Sequence, residues 1–101
     1  MDDLKKNAKT AADFLKGIAN PHRLSILCNL SQGELSVSEL INKTGISQTS
    51  MSQHLSKLRQ EGLTDFRRDH RTLYYYIKND AVTKIIEILY KEFCNKKKEK
   101  K

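Results

Sequence analysis

The residues best placed to do chemistry lie between Ser47 and Gly62, in the run SQTSMSQHLSKLRQEG. Met51, Leu55 and Leu58 recur at i, i+4 and i+7, so they fall on one narrow face of a helix. Thr49, Gln53, Ser56, Lys57 and Gln60 fall on the opposite face. Short hydroxyl and amide groups with little bulk suit hydrogen bonding to base edges and phosphates in a major groove. An ordinary solvated helix face has the same composition, so the flanking elements must decide between the two. The other reactive groups are two thiols, Cys28 and Cys94, and three imidazoles, His22, His54 and His70. The histidines belong to three different elements and suggest no metal-ligand spacing.

Ser47 can cap the first turn of this helix through its hydroxyl, and Gly62 can stop it in the left-handed conformation. Just upstream, Ser36-Val37-Ser38-Glu39 fits a capping box, which predicts a short helix with Val37, Leu40 and Ile41 facing inward. Thr44-Gly45-Ile46-Ser47 is a tight turn between the two. Two helices joined by a short turn containing Gly form a helix-turn-helix whose second helix is the reader. After Gly62, Leu63–Arg68 and Thr72–Lys78 are rich in β-formers and predict a two-stranded hairpin. Arg67, Arg68, His70 and Arg71 collect towards its tip. Such a wing can hold DNA backbone, or it can cover the core with its arginines exposed for solubility; the clustering favours DNA.

The ends of the chain predict helices with apolar faces. Leu4, Ala8, Ala11, Ala12, Leu15, Ile18 and Ala19 follow one helical period, and their small side chains admit a close neighbour. Asn20 caps and Pro21 starts a second helix to about Ser31, with Leu24, Leu27 and Cys28 on its stripe and Gly33 ending it. Asn79 or Asp80 begins a last helix to about Asn95, striped with Val82, Ile85, Ile86, Leu89 and Phe93. A small domain has few inner surfaces for so much apolar area, so a dimer interface shared with the first helix is expected.

The chain's 101 residues allow one domain with a modest core. A formal net charge of +7 and a pI near 9.5 favour a polyanionic partner, nucleic acid above all. Residues 81–101 hold seven Lys against three Glu, and the tail from Lys96 to Lys101 is expected to be disordered. No apolar run approaches membrane-spanning length, and MDDLKKNAKT has no signal-peptide pattern. A cytoplasmic chain with no membrane partner and with reduced thiols is expected. Two cysteines are too few for a disulfide framework or a four-Cys zinc site.

With NPHRLSILCNL, GELSVSELINKTGISQTSMSQHLSKLRQEGL and RRDHRTLYYYI in this order, residues 11–95 resemble the ArsR/SmtB family of bacterial winged-helix repressors. The resemblance implies a mainly α fold with a β-hairpin wing, a winged helix-turn-helix, and a homodimer joined through the first and last helices. Residues 1–95 would be the DNA-binding and dimerisation domain and 96–101 a basic tail. It also implies a palindromic double-stranded operator, repression released by an inducer, and no enzymatic activity. Gln48, Thr49, Ser50 and Gln53 are then the candidates for base edges. Ser52, His54 and Lys57 would touch phosphates or brace the helix, and Arg67, Arg68, His70 and Arg71 would hold backbone or minor groove.

The inducer is the informative question. Metal-sensing members often carry Cys-x-Cys in the segment that reads ELSVSEL here, where Ser36 and Ser38 are poor ligands for soft metals. Another site type uses His and carboxylates of the last helix; this one has no His, and Asp80, Glu87 and Glu92 alone make no zinc set. No metal or cofactor is therefore expected. Cys28 in LSILCNL and Cys94 in LYKEFCN resemble the family's thiol-sensing branch, in which one cysteine from each of these helices forms the sensing pair. The resemblance implies that reactive sulfur species or oxidants join Cys28 to Cys94 within one subunit, by a disulfide or a longer polysulfide bridge. The residues by themselves leave alternatives open. Cys28 on a buried stripe can be simply a small hydrophobe, while Cys94 lies off the main stripe beside Tyr90. Lys91, Lys97 and Lys98 would favour a thiolate there and the helix C-terminus would oppose it. A metal-responsive repressor and a small thiol oxidoreductase are the competing functions, the latter disfavoured by the lack of Cys-x-x-Cys.

Overall fold

The computed structural model of the chain describes residues 2–95. The basic tail expected at 96–101 lies outside the described residues. In chain order the elements are α1 (Asp2–Lys6), α2 (Ala8–Ile18), α3 (Pro21–Leu30), β1 (Leu35–Ser36), α4 (Val37–Thr44), α5 (Gln48–Gln60), β2 (Thr64–Asp69), β3 (Thr72–Ile77) and α6 (Asp80–Tyr90). A π-helical turn, Lys91–Asn95, continues α6. This is a winged helix-turn-helix: α4 and α5 are the motif, β2 and β3 the wing. Among the described residues, no helix is long and apolar enough to cross a membrane.

Local chemistry sets most of these boundaries. The Asn20 side chain accepts a hydrogen bond from the Arg23 amide, and Pro21 occupies the first turn of α3. At α4 the capping box is complete: the Glu39 amide donates to Ser36 Oγ (3.2 Å) and the Ser36 amide donates to Glu39 Oε1 (2.9 Å). Gly45 ends α4 with φ +77°, and two residues later Ser47 Oγ accepts from the Ser50 amide to start α5. Between them Ile46 is buried, and its amide donates to Thr44 Oγ1. The motif's turn is therefore held from inside and from both ends.

The core is formed where α3, α4, α5 and α6 meet the sheet. Ile26 and Leu27 of α3, Leu40 of α4, Met51, Leu55 and Leu58 of α5, and Val82 and Ile86 of α6 are all buried. The periodicity of Met51, Leu55 and Leu58 thus marks the packed face of α5 as expected. On α3 the expected stripe is displaced: Leu27 is buried, but Leu24 and Cys28 are only partly so, and Ile26 and Leu30 complete the inner face.

Three elements differ from expectation. The predicted first helix is broken at Asn7, whose side-chain amide donates to the Asp3 carbonyl (2.7 Å) and whose amide is shared between the Asp3 and Leu4 carbonyls. A side chain that bonds its own backbone competes with continuous helix. The wing is joined by a third strand, giving the antiparallel order β1-β3-β2 with Leu35 opposite Tyr75 and Ser36 opposite Tyr74. At two residues, β1 is too short to show any alternation. The last helix turns π-helical after Tyr90 instead of running on as α.

Besides the shared core, a ring contact joins the reader helix to α3. The rings of His22 and His54 meet edge to face, with centroids 5.4 Å apart. Burial holds the His54 imidazole below its ordinary 6.5, and the neighbouring Arg23 and His22 charges push the same way. The unfolded chain therefore takes up this proton first as pH falls. The stability His54 contributes is complete above pH 6.5 and is lost as pH drops through the interval below that value. Urea titrations at pH 7.5 and 5.5 are expected to show lower stability at the acid value, with a smaller difference in His54→Gln. An undiminished difference in that variant would remove His54 as the cause.

Candidate nucleic-acid interface and cysteine pocket

With Met51, Leu55 and Leu58 pointing inward, the other side of α5 has no choice but to face out. Gln48, Thr49, Ser52, Gln53 and Lys57 are exposed, and Ser50 is partly so. His54 is set apart from them: it is half-buried, with its ring against His22. Its position is that of a brace between α5 and α3. Lys57 is paired with Glu61 one turn on (3.4 Å), which reduces its free charge.

The wing is fixed to the reader helix and to the loop before β1 by two arginines. Arg59, near the end of α5, donates to Asp65 Oδ1 (3.0 Å), and its guanidinium lies 4.3 Å from the centroid of the Phe66 ring. The Phe66 amide and Arg59 together hold the Asp65 carboxyl below the usual carboxylate range. Arg67 donates to Glu34 Oε1 (2.8 Å) and lies 4.8 Å from the Tyr74 ring centroid. Arg67 is opposite Tyr74 in the ladder, and Arg68 opposite Leu73. The turn itself is His70-Arg71, with His70 at φ +59°. Arg68, His70 and Arg71 are therefore brought together at the exposed end, whereas Arg67 is committed to Glu34, a partner 33 residues away. Arg68 and Arg71 have no ion pair among the described residues.

Between reader helix and wing lies a groove that sequence reasoning did not define. Gln48 and Ser52 of α5, Arg71 and Thr72 of the wing, and Ser38 and Glu39 of α4 line it together. Arg71 and the start of α5 thus border the same groove. Ser38 entered the groove unnoticed because its place depends on β1 docking on β3.

The two thiols, far apart in sequence, share one pocket. Cys28 of α3 and Cys94 of the π-helical turn both line a surface cavity of about 350 Å³. Both are free, Cys28 partly buried and Cys94 exposed. Burial pushes the Cys28 thiol up, and charge on Cys94 pushes it further in the same direction. Cys94, off the apolar stripe of a regular helix, lines this cavity from the π-helical turn. Among the described residues no three His, Cys, Asp or Glu side chains converge as a metal-binding group.

Comparison with known proteins agrees with this geometry. Residues 20–65 match the family model described as bacterial regulatory protein, arsR family. Over 94 residues the chain is 39% identical to the transcriptional activator HlyU of Vibrio cholerae, covering 93% of this chain and 87% of that protein. The solved structure of reduced HlyU from the same species superposes with a TM-score of 0.86, covering 93% of this chain and 99% of that one. The transcriptional repressor BigR from Xylella fastidiosa also gives 0.86, at 35% identity and 92% and 95% coverage. The homodimeric winged helix-turn-helix DNA-binding domain of Mb0332 from Mycobacterium bovis gives 0.74, at 31% identity and 88% and 82% coverage. Sequence, fold and the exposed reader helix converge on one conclusion: the chain belongs to the ArsR family of bacterial regulatory proteins, DNA-binding transcriptional regulators and not enzymes.

Proposed function

We propose that this regulator is a homodimeric repressor that leaves its operator when Cys28 and Cys94 are bridged by reactive sulfur species or an oxidant. The observation that carries the reading is the pocket common to the two thiols. An isolated buried cysteine would be a packing residue; two thiols facing one solvent-open cavity form a site that a reagent can enter. Cys94 is exposed and is met first. Cys28, partly buried and with its thiol pushed up, acts second as the resolving group. A direct disulfide requires Cα atoms within about 7 Å, and inserted sulfur atoms relax that limit.

On DNA, the exposed residues Gln48, Thr49 and Gln53, with Ser50, read base edges in the major groove. Ser52 and Lys57 contact phosphates, and His54 braces the reader helix through His22. Arg68, His70 and Arg71 hold backbone at the wing, with Arg67 keeping the wing in place through Glu34. Two such units related by a two-fold axis meet successive major grooves about 34 Å apart on a palindromic operator. The winged helix-turn-helix domain of Mb0332 is homodimeric. In this chain Leu4, Leu15 and Ile88 are 55%, 50% and 60% exposed and offer apolar area of the kind a subunit interface covers.

The switch is mechanical. Bridging draws the π-helical turn and α6 towards α3, and α3 bears on α5 through the core and through His22 and His54. A shift of α6 also moves the interface and hence the spacing of the two reader helices. A coupling of about 1–3 kcal/mol weakens DNA binding roughly 5–150-fold.

Two experiments test the reading. In operator-binding titrations Gln53→Ala is expected to cost about 1–3 kcal/mol and relax preference at one base position, while Arg71→Ala weakens binding across sequences and lowers the salt slope by about 1. No loss at Gln48, Ser50 or Gln53 would remove the reader assignment. Treatment with a persulfide donor is expected to release DNA from the wild type but not from Cys28→Ser or Cys94→Ser. Release from both variants would rule out the thiol bridge.

A further inference from the structure

The cavity that holds the thiols has a chemical character that bridging alone does not require. Its other walls are Leu24, Ile86, Leu89, Tyr90 and Phe93. Apart from the Tyr90 hydroxyl, no side chain lining it carries oxygen or nitrogen. In the single protomer Phe93 is 73% exposed and Tyr90 40%, so aromatic surface borders the cavity beside the exposed Cys94. About 350 Å³ is more than a peroxide or a hydrosulfide needs and is at the small end of the range for organic ligands.

Such walls discriminate. An alkyl arm gains by leaving water for Leu89 and Phe93. A carboxylate or ammonium entering the same space gives up hydration and finds no opposite charge among the lining residues. We propose that the cavity selects neutral organic polysulfides with apolar arms, dialkyl trisulfides being the type case, and turns away charged carriers of the same reactive sulfur. The inference rests on the thiol-bridge reading and names the reagent class for that site.

The chemistry balances without any further reactant. The Cys94 thiolate attacks an outer sulfur of R–S–S–S–R. A Cys94–S–S–R bond forms, the bond to the central sulfur breaks, and R–S–S⁻ leaves and takes up the proton lost from Cys94. The Cys28 sulfur then attacks the Cys94 sulfur, forming the Cys28–Cys94 disulfide and expelling R–S⁻, which takes up the Cys28 proton. Two thiols are oxidised by two electrons in total. The trisulfide is reduced to one thiol and one persulfide.

The test compares dipropyl trisulfide with glutathione trisulfide on the reduced full-length protein, following the bridge by intact-mass spectrometry. Each rate is divided by that reagent's rate with a free cysteine derivative, so that intrinsic reactivity cancels. The normalised preference for dipropyl trisulfide is expected to be about tenfold or more, the equivalent of one to two buried methylenes in binding. Phe93→Lys puts a cation at the cavity and is expected to bring the preference to one or below; Phe93→Ala falls between. A lysine near Cys94 speeds both reagents by favouring the thiolate, and the ratio removes that effect. Equal normalised rates in the wild type would overturn the inference, and so would a preference unchanged in Phe93→Lys. Failure of both reagents to form the bridge would instead overturn the thiol switch beneath it.

Discussion

The burial of one side of α5 is the constraint on which the rest of the molecule depends. Met51, Leu55 and Leu58 are 0%, 2% and 0% exposed. Fully burying a side chain of this size contributes roughly 1.5–3 kcal/mol. Turning the helix by a single residue position, about 100°, would forfeit most of that. The phase of the reader helix is therefore fixed by its inner face, and Gln48 and Gln53 point outward because three apolar residues cannot. Side chains that are to match base edges need this rigidity, since a hydrogen bond loses most of its value when its geometry drifts.

The wing's ion pairs belong to a second, weaker layer. Arg59–Asp65 and Arg67–Glu34 are at least one-third exposed on most of their members, and such pairs contribute little to stability. Their value is directional. Each guanidinium also rests on an aromatic ring, Phe66 or Tyr74, so the strands are fixed in angle relative to α5 and to the segment before β1. Charge spent on these contacts is charge withheld from DNA, which leaves Arg68 and Arg71 as the wing's free cations among the described residues. Arg67 and Arg68 are neighbours in sequence, yet one positions and the other is available.

Much of this was legible in the sequence, because much of it is local. The cap at Asn20-Pro21, the Ser36–Glu39 box and the Ser47 cap act over three or four residues, and the core face of α5 shows in its period. The break at Asn7 was hidden, since Asn in a helical pattern reads as mildly unfavourable and not as a stop. The strand β1 is invisible alone and exists through its pairing with β3. The His22–His54 contact, the Arg67–Glu34 pair and the common cavity of the cysteines join residues 32, 33 and 66 positions apart. No spacing rule reaches that far. The resemblance to a family pointed to the two thiols; the packing of α3 against α6 is what gives them a common space.

The π-helical turn after Tyr90 bears on where the second thiol lies relative to the first. Wound at 3.6 residues per turn, the backbone would swing residue 94 away from the side of Ile86. The looser winding of Lys91–Asn95 advances less per residue and brings that sulfur back to the cavity shared with Ile86 and Cys28. The gap between the two sulfurs is thus written in backbone winding as well as in side-chain identity. Evolution, or an engineer, can lengthen or shorten it by respacing the five residues of the turn while leaving both cysteines and the entire DNA-reading half untouched.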